Sequence, residues 1–221
     1  MKWSSYGPHA ILFQFAERLG DEAFERGRAI TAELERNPPP GLVEFVPAFT
    51  TILLEFDPRA VADASKLADE LAERLKNTAS AKMPPAPVKD IPLVYDGPDL
   101  EHVAQCHQLT VEEVCAIHSA PVYKVYMLGF SPGFPYLGDL DPRLHTPRLA
   151  SPRPRVPAGA VGIGGEHTGI YTVDSPGGWN LIGHTALRVF DPARGEGTGN
   201  NEAIFLLRQG DRVKFAPVTK W

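Results

Sequence analysis

Three arginines crowd the stretch Pro147-Arg148-Leu149-Ala150-Ser151-Pro152-Arg153-Pro154-Arg155-Val156-Pro157 of an otherwise acidic chain. A guanidinium presents paired, planar donors that match carboxylate or phosphate, and flanking prolines reduce the entropy lost in holding it. The pattern fits an anion clamp, and it also fits a solvated polyproline-type loop. The next residues, Ala158 to Tyr171, are dense in glycine, including Gly164 and Gly165. They lack the lysine of a phosphate-binding loop and the spacing of a dinucleotide fingerprint. Glycines set between β-branched residues instead predict strands whose backbone comes close to another strand or to a ligand. His167 is the residue here that could exchange a proton near neutral pH. Further on, Pro176-Gly177-Gly178 predicts a tight turn, and Trp179 follows it directly. An indole in that position either caps a core or walls a pocket floored by bare glycine backbone.

Other constellations compete. Gly129-Phe130-Ser131-Pro132-Gly133 matches the G-x-S-x-G nucleophile elbow, with Asp174 and His184 later in the required order. Proline at position 132 removes the very N–H that an oxyanion hole would use there, which argues against a Ser131 triad. His102 and Cys106 sit four apart on a predicted helix, with His107 and His118 nearby. Zinc asks for three or four ligands, and one helical pair falls short, so no metal is expected on this chain. The two short helices predicted over Asp99–Ser119 suggest a DNA-reading pair, but the segment carries four carboxylates and no Lys or Arg.

The elements that must position these residues fall into two parts. His9–Ala16 reads as a strand, Asp21–Arg36 as a helix, and Leu42–Phe49 and Thr50–Phe56 as strands. Asp57 with Pro58 predicts a helix start, followed by an apolar stripe of Val61, Ala64, Leu67, Ala68, Leu71 and Leu75. Ala81–Asp90 is a proline-rich connector, and Ile91–Tyr95 a last strand. That order predicts a ferredoxin-like split βαβ domain over residues 1–86. Residues 87–221 enter through the two short helices, 99–119, and continue as apolar runs cut by Gly and Pro, which predicts a β-barrel or sandwich. The fold class is therefore α+β.

The chain has 221 residues and a formal net charge of −5, so no global attraction to nucleic acid or to an anionic membrane is expected. No apolar run approaches the length of a membrane span, and the N-terminal text lacks a signal peptide pattern. The two cysteines, Cys106 and Cys115, read as reduced thiols of a cytoplasmic protein.

The segments GFSPGFPYLGDLDPRL and PRLASPRPRVPAGAVGIGGEHTGIYTVDSPGGWNLIGHT resemble the allophanate hydrolase subunit 1 family, also described as the 5-oxoprolinase B subunit and as Kip-type kinase inhibitors. The resemblance extends over nearly the whole chain. It implies a small N-terminal α/β domain and a C-terminal cyclophilin-like barrel. It also implies a cytoplasmic protein working with a partner of the subunit 2 or C type, and with a third subunit where 5-oxoproline is opened to glutamate at the expense of ATP. Under it, Arg148, Arg153 and Arg155 become candidates for holding carboxylate and phosphoryl groups, Arg155 as a catalytic residue. The N–H groups of Gly164, Gly165, Gly177 and Gly178 become candidates for an oxyanion site, and His167 for a proton shuttle. Thr168, Tyr171, Ser175, Trp179 and His184 complete the candidate substrate set. Phe130, Phe134 and Tyr136 form the candidate partner surface. The alternative implied function is a module that inhibits a histidine kinase through such an apolar patch. Two positions depart from the family's pattern: His167 stands for Gln, and His184 for Arg. The second exchanges a permanent bidentate cation for an imidazole and leaves the identity of the amide open.

Overall fold

A computed structural model describes residues 1–78, 86–196 and 201–220, and the chain divides into two compact units, Met1–Pro84 and Pro85–Trp221. The connector predicted over Ala81–Asp90 lies outside the described residues up to position 85.

The first unit holds β1 (Lys2–Ser5), β2 (Ala10–Gln14), α1 (Asp21–Arg36), β3 (Leu42–Pro47), β4 (Thr51–Phe56) and α2 (Ala68–Lys76). Its sheet runs β1-β2-β4-β3, antiparallel throughout. Alternation sends Ile11 and Phe13 of β2 and Ile52, Leu54 and Phe56 of β4 to one face, where Ile30 and Leu34 of α1 and Leu71 and Leu75 of α2 cover them. Two expectations change here. The helix predicted to begin at Asp57 starts later, because the Asp57 carboxylate closes a turn on the Arg59 N–H instead. Asp63 caps a short 3₁₀ turn that leads into α2. The strand expected to close this sheet, Ile91–Tyr95, is not in it. The edge beside β2 is taken by β1 at the N-terminus.

That strand belongs to the second unit. There β5 (Val88–Leu93) is followed by α3 (Leu100–Cys106), α4 (Val111–Ser119), β6 (Tyr123–Leu128) and β7 (Pro135–Gly138). The chain continues through β8 (Arg153–Val156), β9 (Ala160–Gly164), β10 (His167–Ile170), β11 (Ser175–Gly177), β12 (Asn180–His184) and β13 (Arg212–Pro217). Seven strands make one sheet in the order β12-β9-β10-β7-β6-β13-β5, with β5 parallel to β13. Just past the end of β5, Val94 exchanges both backbone hydrogen bonds with His184 of β12, at 3.0 and 2.9 Å. This bridge brings the two edges of the sheet together and leaves a nearly closed barrel. Ile91 and Leu93 of β5 are fully buried in its interior, which explains why this strand pairs here. The helix pair packs Leu100, Val103, Ala104 and Val114 into the same core. Their apolar faces are thus occupied by the barrel. α4 starts with a capping box of Thr110 and Glu113. Asp99 occupies the N-cap position of α3 but directs its carboxylate elsewhere.

The arginine-rich stretch is not wholly a loop. Its second half, β8, pairs with β11 in a separate two-stranded ladder.

Candidate functional site

The site starts from the two faces of β9 and β10. Val161, Ile163, Thr168 and Ile170 point into the barrel. Gly162, Gly164, Gly169 and Tyr171 lie on the outer side, against a second apolar cluster of Phe134, Val156, Ala160, Tyr171, Trp179 and Leu181. The outer glycines are there for space. A Cβ on Gly164 would lie 2.5 Å from the Trp179 indole, and one on Gly169 would lie 3.0 Å from the Phe134 ring. Gly177 leaves the same room for the Tyr171 hydroxyl. The glycine-rich text is therefore a floor on which aromatic rings lie.

Phe134 is the hub of those rings. It meets Tyr136, Tyr171 and Trp179 edge-on, with centroids 5.0, 5.2 and 5.4 Å away. Each such pair adds about 0.5–1.5 kcal/mol beyond simple burial, so the walls are stiff. They bound a cavity of about 280 Å³, whose rim is completed by Arg148, Leu149, Pro152, Pro176, Gly177 and Gly178. Larger hollows occur near Gly20 (about 960 Å³) and Asp174 (about 510 Å³), but neither is bordered by Arg148 or Trp179.

Arg148 sits with its guanidinium carbon 5.8 Å from the Trp179 ring centre. Its backbone is pinned on both sides: the Leu149 N–H donates to the Gly178 carbonyl at 2.7 Å, and Asn180 Nδ2 donates to the Pro147 carbonyl at 2.8 Å. The Pro-Gly-Gly-Trp turn thus holds the segment that carries the arginine. Tyr136 and Tyr171 have their hydroxyl pKa values raised, chiefly by burial, so both stay neutral donors.

The three arginines do not converge. Arg153 Nη2 donates to Asp99 at 2.6 Å, and its Nη1 reaches the Trp179 carbonyl at 3.3 Å. The other Asp99 oxygen accepts the Leu181 N–H at 2.7 Å. Asp99 and Arg153 together fix the start of β12 behind the indole. Arg155 is exposed and pairs with Asp174 at 2.5 Å, at the edge of a different hollow. Of the expected clamp, Arg148 alone faces the aromatic cavity.

The remaining candidates separate in the same way. Thr168 is fully buried on the inner face, where it cannot meet a ligand in the aromatic cavity. Its hydroxyl donates to the Gly162 carbonyl at 3.0 Å and so accepts from His118 Nε2 at 2.9 Å. That leaves His118 Nδ1 to accept from the Tyr95 hydroxyl at 2.8 Å. Burial pushes the His118 pKa down to about 3. Position 167, half-buried, lies one strand position above the rings on the outer side, and burial lowers the pKa of this histidine. It does not line the cavity. His184 is at the barrel seam and pairs with Asp96 at 2.7 Å. Ser175 is in the β8–β11 ladder, opposite Val156. The Gly165 N–H is taken by the Thr146 carbonyl at 2.8 Å, and so is not a donor for an oxyanion. With Gly164 and Gly169 covered by the Trp179 and Phe134 rings and Gly162 packed against Asn180, Trp179 Cβ and Leu181, this stretch does not fit a nucleoside triphosphate.

The triad reading fails because its members are bonded elsewhere: Ser131 Oγ contacts Thr172, Asp174 holds Arg155, and His184 holds Asp96. The helical His102–Cys106 contact is exposed, while His107 bonds Thr146 and His118 lies inside the barrel, so these four do not gather. Of the expected partner surface, Phe134 is 2 % exposed and Tyr136 is a cavity wall. Phe130 alone stands out, 62 % exposed.

The carboxyltransferase domain, subdomain C and D, matches residues 1–198. The chain belongs to that family. It is 39 % identical to the 5-oxoprolinase B subunit of Bacillus subtilis (strain 168), over 97 % of this chain and 91 % of that protein. The crystal structure of TTHA0988 superposes with a TM-score of 0.78 at 44 % identity, covering 95 % of this chain. This chain spans only 40 % of that longer polypeptide. The Kluyveromyces lactis urea amidolyase structure matches the fold, with a TM-score of 0.84 at 22 % identity, and this chain spans 15 % of its length. Among the described residues, no helix is long and apolar enough to cross a membrane.

Proposed function

We propose that this carboxyltransferase-family chain is the substrate-holding subunit of an ATP-dependent amide hydrolase of the 5-oxoprolinase type, acting on 5-oxo-L-proline within a multi-subunit complex. The observation that carries the reading is Arg148 placed over Trp179 at the rim of an aromatic cavity. A small cyclic amide with a carboxylate has two needs. Its ring offers CH₂ faces and edges that suit the faces of Phe134, Tyr171 and Trp179. Its carboxylate needs a permanent, planar cation, and Arg148 supplies one that is not engaged in any ion pair among the described residues. The neutral Tyr136 and Tyr171 hydroxyls can donate to the lactam oxygen.

A lactam is a resonance-stabilised amide, and its hydrolysis calls for activation. The glycine segment here is filled by rings, which supports locating nucleotide binding on the partner polypeptides. The relatives named as the 5-oxoprolinase B subunit support the assignment to a complex, and the longer TTHA0988 chain supports a partner that elsewhere is fused. We read the finer architecture as a cyclophilin-like barrel following a ferredoxin-like unit whose edge strand comes from the N-terminus, and the location as cytoplasmic. His167 is retained as a proton shuttle at one remove from the cavity.

The test is reconstitution. The purified chain is mixed with its C-type partner protein, the third subunit, 5-oxoproline and ATP, and glutamate is followed. Turnover that needs every component, with a KM raised by Arg148→Ala, is the expected result. Full turnover without this chain, or glutamate formation indifferent to Arg148→Ala, contradicts the reading.

A further inference from the structure

We propose that Phe130, at the mouth of the aromatic cavity, is the anchor on which the partner carrying the rest of the carboxyltransferase domain docks. The inference rests on the substrate-pocket reading and adds where the complex closes over it. Phe130 adopts φ 67°, a left-handed backbone that a bulky side chain rarely takes, and its ring is nevertheless exposed. Such a conformation persists only where the surroundings over-determine it. They do so here. The Ser131 N–H donates to the Gly129 carbonyl at 2.8 Å, the Phe134 N–H to the Ser131 carbonyl at 3.1 Å, and the Gly129 N–H to the Phe134 carbonyl at 3.1 Å. Thr172 Oγ1 adds a 2.6 Å bond to the Pro132 carbonyl. The ring leans edge-on against Phe134 and Tyr171, at 5.5 and 6.3 Å. A pinned, outward-facing aromatic on a rigid loop is the form that interface anchors take, because little entropy is lost when it is buried.

Three observations select the occupant. The matched family is named for subdomains C and D, which leaves its counterpart subdomains to another part of the assembly. In TTHA0988 the matched region is 40 % of one longer chain, so the same fold is joined there to further polypeptide. And among the described residues the cavity is bordered by no carboxylate, imidazole or ammonium group. The pocket can bind and orient a substrate, but His167 stands back from it, so a proton-transferring group in direct contact with the substrate must be brought to its mouth. Phe130 borders both the cavity and the shallow hollow of Leu128–Gly133 and Phe205 beside it, so a partner loop seated there reaches the rim directly.

The experiment measures assembly without substrate or ATP, so its outcome does not depend on what the pocket holds. Wild type, Phe130→Gly, Phe130→Asn and the control Tyr6→Ala, which alters an equally exposed ring in the first unit, are titrated with the purified C-type partner protein by calorimetry. Gly and Asn both tolerate φ near 67°, so the loop keeps its path while the ring is removed. The expected result is a five-fold or greater loss of affinity for both Phe130 variants, with Tm unchanged or raised and Tyr6→Ala at wild-type affinity. A loss below five-fold overturns the proposal. A loss accompanied by a Tm drop of more than a few degrees overturns it too, since the ring is then a plug for its own loop. Equal weakening by Tyr6→Ala likewise overturns it.

Discussion

The Arg148 guanidinium lies 5.8 Å from the centre of the Trp179 ring, although the two are 31 positions apart in sequence. The relationship is fixed by backbone: Leu149 and Pro147 are bonded to Gly178 and Asn180 on either side of the indole. A cation held over an aromatic ring, and in no ion pair among the described residues, is prepared for a planar anion before the anion arrives.

The floor beneath the indole is the first place to test this. Gly164→Ala puts a methyl group 2.5 Å from the ring. The indole must shift, taking the Arg148 platform with it. A loss of about 1–3 kcal/mol of stability is expected from overpacking, measured by urea unfolding. Weaker substrate binding should accompany it. Unchanged stability with unchanged binding would show that the ring can move freely.

The two other arginines should behave differently from Arg148 and from each other. Arg153→Ala leaves the nearly buried Asp99 without its cation, which costs about 1–3 kcal/mol. Arg153→Lys restores only part of it, since the link to the Trp179 carbonyl uses the second guanidinium nitrogen. Arg155→Ala breaks an exposed pair with Asp174. No measurable Tm change is expected from it, and the pair's contribution should vanish in salt. A large kinetic defect in Arg155→Ala, with Tm intact, would move the anion site toward Asp174.

His118 gives a pH signature. Its pKa falls from an ordinary 6.5 to about 3 through burial, so the folded state binds the neutral form and the unfolded state takes up the proton first. The neutral ring's contribution is complete above pH 6.5 and is lost as pH falls toward 3. The loss is at most on the order of 5 kcal/mol. Its neighbours Tyr95 and Tyr123 have hydroxyl pKa values raised by burial and stay uncharged through that window. His118→Gln should lower stability at neutral pH and flatten the fall on the acid side, as followed by thermal melts. A variant with the wild-type slope would place the acid sensitivity elsewhere.

Much of this was legible in the residues. The α1 span, the Thr110–Glu113 capping box and the closing strand at Arg212–Pro217 carry local signals of periodicity, cap chemistry and turn residues. The Trp179 turn and Arg148 were also readable as candidates. What the sequence hid was non-local. That Ile91 buries in the barrel while Lys2–Ser5 takes its expected sheet edge depends on pairing between distant strands. Asp99 and Arg153, 54 positions apart, give no joint signal, and Asp99 stands where a helix cap is expected. Thr168 and His167 are neighbours in text but lie on opposite faces of β10, so a motif read as one unit is divided by the pleat. Phe134 and Tyr136, expected at a partner surface, instead pack against each other with centroids 5.0 Å apart, and the room for the Phe134 ring is left by Gly169, a glycine 35 positions away.

The central claim is that Arg148 receives the substrate's carboxylate. The most direct measurement is calorimetric binding of 5-oxoproline and of its carboxamide analogue to the assembled complex, for wild type and Arg148→Ala. Wild type should prefer the acid over the amide by about 10- to 100-fold, the range of a charge-assisted hydrogen bond, and Arg148→Ala should lose that preference with Tm intact. Retention of the full preference for the acid in Arg148→Ala would contradict the claim and place the carboxylate elsewhere.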